Sequence, residues 1–163
     1  MTINRRSKYI NDVEEQSLSI FYSGKAPHLS ADSYYKFQVN RNFWYLTGIN
    51  QENAILLIAK SKNRTESYLF IEKVDPIMAL WVGETLSFQK ASEISGIKLE
   101  NIKDIANFDG FISSLMTQSR AAIFGTIESV YFDIERQRVN DEPLLGELKA
   151  NSFKAKYPHI TIK

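Results

Sequence analysis

The sequence predicts an α/β domain with a mostly buried sheet. Three observations carry that reading. Strand-like and helix-like segments alternate along the chain. Ala54–Ala59 is a continuous apolar run, as in a strand covered on both faces. Ser87 and Gly96 bracket a helix with a capping residue at each end. A length of 163 residues fits one domain, and a chain of this size buries roughly 70% of its unfolded surface, enough for a hydrophobic core.

The elements follow in order. Residues 3–16 read as a short amphipathic helix with Ile3, Ile10 and Val13 on one stripe. Leu18, Ile20 and Tyr22 alternate with serines and Phe21, which predicts a strand ending at Gly24. A loop runs through Pro27 and His28 to an aromatic block, Tyr34–Phe37. Asn40-Arg-Asn-Phe-Trp-Tyr-Leu-Thr-Gly48 reads as an aromatic-rich strand with a polar entry and a Thr-Gly exit. Tyr68–Ile71 pairs naturally with the 54–59 strand across a polar turn at Ser61–Glu66. Asp75–Gly83 reads as a turn or short helix presenting Trp81, and Ser87 caps a helix over Phe88–Ser95. Phe108, Phe111, Ile112 and Leu115 mark another helix, with Asp109 near its positive end. Ala121–Phe124 and Val130–Ile134 read as strands. Asp141 and Pro143 open a last helix carrying Leu145, Leu148 and Tyr157, Pro158 stops it, and Ile160–Ile162 begins another strand.

Composition excludes several functions. With 20 basic against 19 acidic side chains, the net charge of +1 argues against a nucleic-acid binder. There is no cysteine, hence no disulfide framework, thiol nucleophile or cysteine-ligated zinc. The longest apolar run without an aromatic residue is too short to cross a bilayer, and the polar N-terminus is no secretory signal, so a cytoplasmic location is expected. The 2 histidines, His28 and His159, stand far apart beside prolines, unlike the clustered ligands of a metallohydrolase. No serine sits in a G-x-S-x-G frame, and the 7 glycines are too scattered to cradle a phosphate. Trp81 is a candidate pocket wall, because indole joins a large apolar face to one N–H donor, although plain packing on the sheet explains it as well.

Two segments, Asn40–Gly48 and Asp75–Gly83, occur in an order and spacing that resemble the N-terminal domain of Xaa-Pro aminopeptidase (aminopeptidase P), of the creatinase/prolidase or pita-bread metallopeptidases. The resemblance starts at Arg5-Arg6, passes through Ser30–Ser33 and Tyr35, and is strongest over Asn40–Gly48, the N-x-D-F-x-Y-L-T-G signature. It continues through Ala54–Ile58, Leu69–Ile71, Asp75-Pro76 and Trp81-x-Gly83 to Tyr131–Asp133. One departure is Asn42, where many relatives carry aspartate. Another is that the chain stops at Lys163, about where the catalytic domain follows in relatives.

The resemblance implies a mixed sheet of about six strands flanked by helices, like ribonuclease H. It implies a single non-catalytic domain over 1–163, with the metal-binding catalytic domain absent. The parent would release the N-terminal residue from peptides with proline second, using two manganese ions held outside this chain. The domain itself would serve subunit association and shape substrate access, its partners being its own catalytic domain, a second copy in a dimer and the proline-containing peptide. Trp81, Asp32, Tyr35 and Asn42 are the residues the resemblance places at the rim of a neighbouring subunit's cleft. Asp32 is equally explained as a turn residue bonding its own backbone. Two other readings stay open: a stand-alone peptide- or protein-binding module on the same fold, and a creatinase or strict dipeptidase as parent.

Overall fold

A computed structural model describes residues 1–73, 77, 86–117, 123–136 and 138–163. In chain order the elements are α1 (Thr2–Asp12), β1 (Ser17–Tyr22), β2 (His28–Ser30), β3 (Ser33–Tyr34), α2 (Arg41–Thr47), β4 (Ile55–Lys60) and β5 (Thr65–Ile71). They continue as α3 (Phe88–Ser95), β6 (Ile102–Asp104), α4 (Phe108–Met116), β7 (Ser129–Phe132), α5 (Leu145–Lys156) and β8 (Thr161–Ile162). Six strands form one sheet in the order β6-β5-β4-β1-β7-β8, and β2 and β3 form a separate hairpin. β4 is antiparallel to both β1 and β5, whereas β1/β7, β5/β6 and β7/β8 are parallel. The mixed six-stranded sheet flanked by helices is the architecture the resemblance implied.

Strand periodicity divides the core between two faces. Leu18, Ile20, Ile55, Leu57, Phe70 and Val130 point to one face, where Ile112 and Leu115 of α4 and Ala150 of α5 cover them. Phe21, Leu56, Ile58, Leu69 and Ile71 point to the other, against Phe43 and Leu46 of α2, Ala91 of α3 and the α1 residues Tyr9 and Ile10. The unbroken apolar run of β4 is thereby explained, since both of its faces are interior. Each fully buried Leu, Ile or Phe contributes about 1.5–3 kcal/mol.

Local signals account for the helices. Ser87 Oγ accepts from Lys90 N–H at 3.1 Å, and Gly96 takes the left-handed conformation at φ 73°. Phe108 and Phe111 of α4 stack on Phe70, with ring centroids 5.0 and 5.5 Å away. α5 begins two residues beyond Pro143, and β8 lies where Ile160–Ile162 is expected.

Four readings are corrected. Asn40–Gly48 is a helix and not a strand. The Asn40 side chain accepts from Phe43 N–H at 3.0 Å, Gly48 closes the C-terminus at φ 72°, and Phe43, Leu46 and Thr47 share the buried stripe. Caps and 3.6-residue spacing thus override the β preference of the aromatic residues. Within Ala121–Phe124, Ile123 and Phe124 form a turn before Gly125 at φ 70°, and residues 121 and 122 lie outside the described residues. The first helix ends at Asp12, well short of 16, because Gln16 has φ 57° and its amide turns away to the Phe124 and Thr126 carbonyls. Finally, β2 and β3 form a hairpin where only a loop is expected, and β6 has too few residues to show a period.

α1 also buries an arginine. Arg6 is 5% exposed, and its Nη1 donates to the Leu46 carbonyl at 2.8 Å. Arg5 Nη1 donates to the Tyr45 carbonyl at 3.2 Å, its guanidinium lying 4.5 Å from the Tyr45 ring centre. Thr2 Oγ1 donates to the Ser95 carbonyl at 3.0 Å. The first turns of α1 therefore supply donors to the C-terminal carbonyls of α2 and α3, groups a helix leaves unpaired and whose dipole ends favour a cation. Burial pulls the Arg6 pKa down from its ordinary value, but an arginine keeps its charge.

Candidate functional site

The sequence-nominated residues fall on two neighbouring features, the β2/β3 hairpin and the N-terminal turn of α2. The hairpin is exposed along its whole length. Its turn passes through Ala31 at φ 46°, and His28 Nε2 bonds the Ala31 carbonyl at 2.8 Å while its ring meets Tyr34 edge-on at 5.3 Å. Tyr35 N–H closes the hairpin base by donating to the Pro27 carbonyl at 2.8 Å. Below it, Asn40 N–H donates to the Ser23 carbonyl at 3.0 Å, and Glu52 Oε2 accepts from Ala26 N–H at 3.1 Å.

Asp32 is exposed at the tip of this arm, with no hydrogen bond or ion pair among the described residues. His28, not Asp32, ties the turn, so a self-bonded turn aspartate does not describe it. The Tyr35 side chain is 56% exposed.

Asn42 is half-buried and held by a side-chain hydrogen bond. Its Nδ2 donates to Asp133 Oδ1 at 3.0 Å, beside an exposed pair between Arg41 Nη2 and Glu135 Oε1 at 3.1 Å. These contacts dock the start of α2 on the segment leaving β7. Asp133 serves a second neighbour through its backbone, because Gly146 in the first turn of α5 packs directly on the Asp133 carbonyl. Any side chain at 146 would enter that oxygen. An aspartate at 42 would set two carboxylates face to face, so asparagine suits this fold.

Sequence reasoning nominated Asn42 but missed Asp133 as its partner, although Tyr131–Asp133 carried part of the resemblance. Trp81 lies outside the described residues. The groups brought together offer contact and positioning chemistry: an exposed carboxylate, a phenol, and a neutral amide fixed by a carboxylate. Among the described residues, no group of three or more His, Cys, Asp or Glu side chains is placed to hold a metal ion, and no helix is long and apolar enough to span a membrane.

The mixed six-stranded sheet flanked by helices matches part of solved aminopeptidase P structures. A Bacillus anthracis protein assigned as an aminopeptidase P superposes with a TM-score of 0.89 at 35% identity, covering 99% of this chain and 37% of that one. Escherichia coli aminopeptidase P superposes at 0.72 with 23% identity, covering 95% of this chain and 32% of that one, which is a likeness of fold. In sequence, the Escherichia coli K12 Xaa-Pro aminopeptidase is 31% identical over 94 residues, 57% of this chain and 21% of the relative. The Haemophilus influenzae Xaa-Pro aminopeptidase is 29% identical over 89 residues, 55% of this chain and again 21% of the relative. The chain belongs to the family described as aminopeptidase P, N-terminal domain, whose model matches residues 2–124. The matched region spans about a fifth of the length of these curated relatives.

Proposed function

We propose that this chain is the non-catalytic N-terminal domain of a cytoplasmic Xaa-Pro aminopeptidase, which releases the N-terminal residue from peptides with proline second. In this reading the domain joins subunits and narrows the approach to a neighbour's cleft. The family match over residues 2–124 carries the proposal. The exposed arm bearing Asp32 and Tyr35 supports it, because its carboxylate is left to outside partners. Asn42, fixed by Asp133, supports the base of that rim, and Trp81 is its proposed aromatic wall. Two manganese ions would be held by the parent's catalytic domain outside this chain, since the described residues assemble no group of three or more ligands.

Cleavage of a short Xaa-Pro peptide in the presence of manganese tests the reading. The chain alone is expected to be inert, and a fusion to the part of the Bacillus anthracis relative that it does not match is expected to cleave. Trp81→Ala and Asp32→Asn in that fusion should then raise KM more than they lower kcat. Activity of the chain alone, or a folded, metal-loaded fusion without activity, would overturn the proposal.

A further inference from the structure

A cleft of about 870 Å³ opens on the α4/α5 side of the sheet, at the ends of β1, β5 and β6 and the start of β4. Ligands of open α/β sheets bind at such carboxyl ends, where the direction of chain connection reverses. Here β5 leads outward to β6 on one side while β1 and β7 lead to β8 on the other. The floor is apolar, with Ile55, Ile112 and Phe153 among its lining residues. The volume falls within the range typical of small-molecule sites, roughly 300–1,000 Å³, and at its upper end.

The walls differ in sign. Lys149 and Lys156 of α5 line the cleft, two helical turns apart with Ser152 between them, and Lys25 after β1 is a third lining cation. Asp109 of α4 and Glu72 after β5 line it too. Among the described residues these charges form no ion pair across the cleft or elsewhere, although both signs share one crevice. Among the described residues, Glu72 accepts from the neutral Asn53 amide alone, at 2.8 Å. Tyr22 also lines the cleft, and its hydroxyl has no hydrogen-bond partner among the described residues. Burial and the Asp109 charge hold the Tyr22 phenol well above its ordinary pKa, so it stays a donor at all ordinary pH values. Ser113 Oγ of α4 lies 3.5 Å from the hydroxyl of Tyr157, the residue just past α5 that lines one end of the cleft.

We infer that this cleft binds a short peptide with free termini and bulky apolar side chains. Its carboxylate lies against Lys149 and Lys156, its ammonium group faces Asp109 and Glu72, and its side chains cover the apolar floor. A simple organic acid would leave the acidic wall unmatched, and a cation would leave the lysines unmatched. This inference rests on the cleft alone and does not depend on the peptidase reading.

The test is titration of the 15N-labelled chain with tri-leucine, followed by amide shifts. Perturbation centred on Tyr22, Asp109 and Lys149 is expected, with N-acetylated and C-amidated tri-leucine each binding roughly tenfold more weakly. The exposed double substitution Lys149→Ala with Lys156→Ala should weaken the free peptide and leave the amidated one unchanged. No perturbation of cleft residues at the solubility limit of the peptide would overturn the proposal, as would equal binding of the blocked forms.

Discussion

The two faces of the central sheet are built from the same alternating residues and finished differently. On the α1/α2/α3 face, the helix ends converge and α1 seals them with the Thr2 hydroxyl and the Arg5 and Arg6 guanidiniums. On the α4/α5 face, α4 makes a long polar contact with Tyr157 just past α5, and a cleft lies between the two helices. Apolar patterning is equivalent on both sides, so it cannot decide which face closes. What distinguishes the closed face is its set of side-chain donors, which meet carbonyls that helix ends leave unpaired.

The largest effect should come from the open face, whose second helix depends on one missing side chain. Gly146→Ala drives a Cβ into the Asp133 carbonyl, backbone against backbone, and should cost about 3 kcal/mol or more in urea unfolding. Gly110→Ala in α4, where a Cβ would meet nothing within 4 Å, serves as the matched control and should stabilise by up to about 1 kcal/mol. Equal behaviour of the two variants would refute the assigned role of the Asp133 contact.

Alkaline titration sharpens the comparison next. Burial between α1 and the sheet pushes the Tyr9 phenol up to about 12 from an ordinary value of 10.0, partly offset by its hydrogen bond to Ser19 Oγ at 2.8 Å. Between those values the unfolded chain has lost this proton while the folded chain keeps it, so stability falls as pH rises. Below pH 10 the contribution is constant. The loss should reach at most about 3 kcal/mol by pH 12. Tyr9→Phe should blunt it, leaving the part due to Tyr22 and Tyr68 on the open face, whose phenols burial also raises. An unchanged alkaline profile in Tyr9→Phe would count against the sealed environment described for it.

The smallest contrast lies within the seal. Arg6→Met leaves the Leu46 carbonyl buried and unpaired and should cost about 2 kcal/mol. Arg5→Met, at a half-buried position whose hydrogen bond is exposed, should cost about 0.5 kcal/mol. Thermal midpoints of the two variants side by side measure the difference, and parity would mean that Arg6 does not hold the helix ends together.

These differences also show what the sequence could reveal. α3 was legible because both of its signals, Ser87 and Gly96, are local to it. α2 carried equally local caps in Asn40 and Gly48, yet the run of Phe43, Trp44 and Tyr45 has the composition of a strand, and composition outweighed the caps. Burial of Arg6 could not be foreseen, since it depends on where the ends of two later helices meet. The same holds for Asn42, whose partner Asp133 lies far along the chain, and for the cleft, whose charges come from Glu72, Asp109 and α5. Short-range chemistry was readable, but any site that needs the tertiary fold to assemble it was not.

The position of β1 in the middle of the sheet has a consequence for the order of assembly. One edge of β1 pairs with β4, soon after it in sequence, but its other edge waits for Ser129–Phe132 near the end of the chain. During synthesis, α1 through β6 can therefore collapse first as a half-sheet with the first strand's edge bare. Bare edges invite pairing with other chains until the late parallel strands dock. Pulse-labelled hydrogen exchange should find amides of the β4/β5 ladder protected before those of β7, and simultaneous protection would exclude this sequence of events. For this fold, the interval between the two halves is the time when a nascent chain is most exposed to aggregation.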